Sequence, residues 1–143
     1  MAQAIISTIS DVARSKLAEM LSIGRSFTVT HFVTGEGGHD PADDTVALTP
    51  DPSVLSLPLQ TFGPKAVTAK TLISPYCVEY QCDLGNLDAV GPLSNVGLIA
   101  TYNYSPILSD PLVGTTFLFS IGNFPKQTKT DAETKTIMIQ VQY

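Results

Sequence analysis

Thr136-Ile-Met-Ile-Gln-Val-Gln-Tyr143 is the stretch that decides the fold class, because it repeats with a period of two. Ile137, Ile139, Val141 and Tyr143 fall on one side, and Met138, Gln140 and Gln142 on the other. Only an extended chain separates alternate residues in this way. Residues 76–84 repeat the pattern, with Val78, Tyr80, Cys82 and Leu84 opposite Cys77, Glu79, Gln81 and Asp83. Residues 27–34 are β-branched and aromatic, and strict alternation would place Phe27, Val29, His31 and Val33 on one face and Phe32 on the other. Residues 95–104 and 115–121 also read as strands, the latter with Phe117, Phe119 and Ile121 sharing a face. Between them Pro50, Pro52, Pro58, Pro64 and Pro75 leave room for only short or edge strands, expected at 45–48, 54–57 and 70–73. Residues 35–44, 85–93, 105–114 and 125–133 read as loops or polar connections.

One segment breaks the period of two. Over residues 9–21, Ile9, Val12, Ala13, Leu17, Met20 and Leu21 recur at steps of three and four, which predicts an amphipathic helix packed as one side of the core. Thr8 is the expected N-cap with Asp11 as its acidic partner, and Gly24 the left-handed residue past the end. A helix followed by six to eight short strands, without internal repeat or boundary, predicts a single domain over 1–143. Its class is mainly β (α+β), an antiparallel β sandwich or partly open barrel with one N-terminal helix.

The 143 residues are 43% hydrophobic and only 15% charged, with a net charge of −5. No Lys or Arg lies between Arg25 and Lys65, nor between Lys70 and Lys126, so there is no basic stripe and no nucleic-acid partner is expected. No apolar run is long enough to span a bilayer, and the helix's polar face (Arg14, Lys16, Glu19) is not basic enough to lie on one. The first residues carry neither a positive nor a long apolar segment, so no export signal is expected. Cys77 and Cys82 on one strand would stand about 17 Å apart, beyond disulfide reach, and free thiols fit a reducing cytoplasm. So few charges point to a surface that faces other protein.

Chemistry-bearing patterns are sparse. There is no nucleophile elbow, zinc-protease helix motif or glycine-rich phosphate loop. His31 reads as a hydrogen-bonded histidine within a strand and His39 as an exposed loop residue. Glu36, Asp40, Asp43 and Asp44 crowd one loop, but their spacing is not that of a calcium loop, and a solvated, metal-free loop is expected. No enzymatic activity and no cofactor is expected.

Three blocks together resemble the N-terminal domain of bacteriophage tail-collar fibre proteins. They are the helix with the strand FTVTHFVTGEGG and its Gly35-Glu36-Gly37 turn; NVGLIA at 95–100; and the C-terminal block from Thr115, with Asn123-Phe124-Pro125 at a turn and Lys129-Thr130 beside it. The resemblance spans nearly the whole chain. It implies a virion protein assembled in the host cytoplasm, a homotrimer that attaches tail fibres to the baseplate through other phage tail proteins. The chain stops at Tyr143 without the shaft repeats usual in the family, which leaves receptor recognition outside the expectation. The alternative is a host-surface glycan-binding module using tyrosines such as Tyr102 and Tyr104. For assembly, Met138, Gln140 and Gln142 are the candidate surface, since the last strand lacks the charges that guard a free edge.

Overall fold

The computed structural model describes residues 2–143, and these form ten strands and one helix. The chain runs β1 (Ala2–Ile9), α1 (Asp11–Ser22), β2 (Ser26–Gly35), β3 (His39–Asp40), β4 (Asp43–Ala47), β5 (Gln60–Ala66), β6 (Ala69–Ser74), β7 (Cys77–Leu84), β8 (Gly91–Tyr104), β9 (Thr116–Lys129) and β10 (Lys135–Gln142). Eight strands make one sheet in the order β5-β2-β8-β9-β1-β10-β7-β6, and β3 with β4 forms a separate hairpin. The protein is thus mostly β with one short helix, as the alternating stretches predict. The sheet is mixed: β1 runs parallel to β10, from Ala2 opposite Thr136 to Ser7 opposite Val141, while the other pairs are antiparallel.

β1 joins the two halves of the sheet. Ala2 to Ser7 pair with β10, and the chain then switches so that Thr8 and Ile9 pair with Ile121 and Ser120 of β9. At the far ends, β5 and β6 are the two edges of the sheet yet follow each other in sequence. Only Val67 and Thr68 separate them, Val67 N–H donating to Thr30 and Thr68 N–H to Gln81. The main apolar cluster draws on six strands of both halves, among them Val29, Phe32, Leu98, Phe119, Ile5, Ile137, Ile139, Val141, Tyr80 and Leu84. A smaller cluster of Val33, Leu57, Leu118 and Ile121 lies apart from it.

Bulges correct two of the faces expected from strict alternation. On β2, Val29 pairs with Ala100 but His31 with Ile99, so Thr30 is the extra residue. Phe27, Val29 and Phe32 therefore meet the main cluster, while Val33 turns to the smaller one. On β9, Leu118 pairs with Ile99 and Ser120 with Leu98, which sends Ile121 to the opposite cluster from Phe119. One extra residue inverts every side chain beyond it.

Local readings shift as well. Residues 54–57 form bends rather than a strand, and their Leu57 is buried in the smaller cluster. The expected turn at Asn123-Phe124-Pro125 lies inside β9, which runs on to Lys129. From Gln127 to Asn123 the strand spends four steps against two on β8, and Pro125 sits in that irregularity, where a missing N–H costs no ladder bond. β8 starts at Gly91, within the stretch expected as a loop.

The helix begins later than its periodicity indicates. Thr8 and Ile9 complete β1, and Ser10, not Thr8, is the N-cap. Its hydroxyl accepts from Ala13 N–H at 3.0 Å and donates to the Leu118 carbonyl at 2.7 Å. Gly24 takes the expected left-handed conformation, at φ 90°. The helix is not a full wall of the core: Ala13 is its one fully buried residue, Leu17 and Met20 are half-buried, and Leu21 is 93% exposed. It packs on β9 with Ala13 of its first turns buried, and its second half is half-buried or exposed.

Candidate interaction surface

The expected assembly residues lie on the outer face of β10. Met138 and Gln140 are half-buried and Gln142 is exposed, while Ile137, Ile139 and Val141 face inward and are fully buried. β10 has no free edge, since β1 and β7 pair along both of its sides, so strand addition to β10 is not available. Carboxylates of β7 bond to the outer face of β10. Gln140 donates to Glu79 at 2.9 Å, and Thr136 donates to Asp83 at 2.7 Å. On the other side Ile6 of β1, 64% exposed, extends the Met138 face. Ile6 escaped the sequence reading because β1 itself did.

The free edges are β5 and β6, and they differ. β5 carries Pro64 and Lys65 and pairs irregularly with β2, features that blunt an edge. All six residues of β6 are exposed, with Lys70 its only charge and no proline. Leu72 is 69% exposed, and Ile73 and Tyr76 next to it are also open to solvent. An open strand with apolar side chains and few charges is the kind that proteins otherwise cover.

The acidic loop is a hairpin. Asp40 accepts from Ala42 N–H, and Asp43 accepts from both the N–H and the hydroxyl of Thr45, which holds the Asp43 carboxyl below the ordinary range. Asp44 lies 3.6 Å from His39 Nε2 and 3.4 Å from Lys126 Nζ. Among the described residues no three His, Cys, Asp or Glu side chains gather as a metal ion requires. His39 is not the freely exposed residue expected, for its Nδ1 is 2.9 Å from Ser94 Oγ, which also accepts from Gly38 N–H at 2.8 Å. This serine–histidine–aspartate line looks like a nucleophile with its base, but Ser94 is fully buried under its partners and has no open side for a substrate carbonyl. Its role here is to hold the hairpin against β8. His31 is half-buried against the Thr30 hydroxyl at 2.7 Å, within the reading given by its strand position.

A polar network fastens the second half of α1 to the end of β8 and to the loop between β8 and β9. Arg25 Nε donates to Asp110 at 2.7 Å, and Arg25 Nη1 lies 3.5 Å from Glu19. Tyr102 donates to Glu19 at 3.0 Å, and Lys16 stands over the Tyr102 ring. Tyr102 is thereby buried, 3% exposed, and offers no ring face to a sugar; of the two tyrosines considered, only Tyr104 is open. The Ser105 hydroxyl, the Arg25 guanidinium and the Leu112 N–H all stabilise the Asp110 carboxylate, holding its pKa down to about 2. A lowered carboxyl pKa adds stability above the unfolded value, near 4, which disappears as pH falls through the folded value. Thermal melts should therefore show wild type above Asp110→Asn by a constant margin at neutral pH. That margin should shrink between about pH 4 and pH 2. An equal margin at both ends would mean that the carboxylate charge is not what anchors the loop.

Both cysteines are free, as their strand spacing predicts, and both are buried; burial pushes the Cys82 thiol up to about 12. Compared with known protein families and with curated proteins, the chain has no match.

Proposed function

We infer that the chain is a structural protein of a bacteriophage tail, an adaptor or short fibre component that joins fibres to the baseplate as a homotrimer. The observation that carries its assembly role is β6, an exposed and unguarded edge bearing Leu72 and Ile73. A neighbouring chain adding a strand there would satisfy the open backbone groups and cover the apolar side chains. In a homotrimer this contact is head-to-tail, β6 of one chain meeting a different surface of the next, and it closes into a ring when the rotation allows. The tail assignment itself rests on the three-block resemblance. In the same reading the sheet is a partly open barrel rolled about the main cluster, because edge strands joined by two residues must approach each other at that corner.

Sedimentation at high micromolar concentration tests assembly. The wild type is expected near three times 15.2 kDa, and Leu72→Lys with Ile73→Lys is expected as a folded monomer. A monomeric wild type, or a double variant of undiminished size, would remove β6 as the interface. Antibody labelling of phage particles tests the location, and a label absent from tails would remove the adaptor reading.

A further inference from the structure

Beside the second half of α1 lies a cavity of about 220 Å³. Leu17 and Met20 of α1 roof it, and Phe119 of β9 lines its wall. Four polar residues also line it: Thr28 of β2, Lys70 of β6, Tyr80 of β7 and Tyr143. Lys70 and Tyr80 oppose each other directly in the β6–β7 register, so both rise from the same face of the sheet. Tyr80 is 6% exposed, and its hydroxyl has the Tyr143 hydroxyl as its neighbour. Lys70 makes no hydrogen bond or ion pair among the described residues.

We propose that this cavity binds a small monocarboxylate with an apolar tail, the carboxylate held by Lys70 and the hydroxyls of Tyr80 and Tyr143. The lining divides the ligand's chemistry. Side chains of Leu, Met and Phe bury a hydrocarbon, while one unpaired ammonium beside two phenols supplies charge-assisted donors for a single anionic head. A phosphate fits less well, because phosphate sites gather arginine forks or several backbone N–H groups and this site has neither. The volume is below the ~300–1,000 Å³ of sites for drug-sized molecules, which limits the tail to a short chain or one ring. The sequence conceals the site, since Lys70 lies in a short exposed strand and Leu17 in a helix that reads as ordinary core.

Octanoate is the probe, with 1-octanol as its uncharged counterpart, followed by methyl NMR of Met20 and Leu17 and by calorimetry. Octanoate is expected to shift both methyl signals and to bind more tightly than octanol. Lys70→Met should weaken octanoate about tenfold or more, as loss of a charge-assisted contact does, and leave octanol unchanged. Tyr80→Phe, which keeps the ring, should weaken octanoate by less. Leu17→Phe should fill the space and abolish both. Unmoved Met20 signals at millimolar octanoate, equal affinity for octanoate and octanol, or full octanoate affinity in Lys70→Met would each overturn the site. A wild type that is monomeric but binds octanoate would defeat the assembly reading and leave this one standing.

Discussion

Ile139→Asp is expected to leave the chain unfolded in water. Ile139 is fully buried at the middle of β10, opposite Ile5 on one side and Tyr80 on the other. Removing the isoleucine side chain alone costs about 2–5 kcal/mol. The carboxylate adds the penalty of an unpaired buried charge, several kcal/mol more even after its pKa rises. Together these approach the ~5–15 kcal/mol that holds a typical domain folded. Loss of the cooperative denaturant transition is the expected readout, with Ile139→Val as a control at about 0.5–1.5 kcal/mol. A native-like transition in Ile139→Asp would mean that β10 is not an interior strand.

Gly38→Ala is the second large effect, and its cause is steric. A Cβ at position 38 would stand 2.0 Å from the Ser94 carbonyl oxygen and 2.8 Å from Asn95 Cβ. The first obstacle is backbone within β8 and cannot swing aside. Gly38 also donates to Ser94 Oγ and accepts from Leu48 N–H, so shifting it breaks the contacts that hold the hairpin. Overpacking against a flexible neighbour costs about 1–3 kcal/mol, and a rigid one sets this substitution at or above that range. Denaturant melts should show the loss, and amide exchange should show it concentrated in β3, β4 and the start of β8. By contrast, Gly91→Ala meets nothing within 4 Å. It should cost only the strain of its positive φ of 116°. Equal effects at the two glycines would contradict the close approach at Gly38.

The assembly and cavity readings depend on the same exposed strand in different ways. Leu72 and Ile73 matter to a neighbouring chain, whereas Lys70, on the same face of β6 as Leu72, lines the cavity with Tyr80. Of these three only Lys70 lines the cavity, so size is read at 72 and 73 and ligand binding at 70.

Periodicity alone determined the β class, the existence of β2, β7, β8, β9 and β10, and the helix with Gly24 past its end. Alternation and helical spacing are local, and burying an apolar face rewards them wherever the strand finally sits. The free cysteines followed from the same arithmetic, because strand rise sets their separation. Tertiary structure alone decided what depends on partners far away in sequence. β1 has little strand signature of its own, and it forms by pairing with β10 more than 130 residues away. Thr30 and Pro125 became irregularities only against the register of β8. Met138, Gln140 and Gln142 are outward-facing as their alternation predicts, yet whether their strand is an edge was set by β1 and β7 on either side. The open edge fell instead to β6, because a strand's backbone demand is satisfied by its neighbours and not by its own residues.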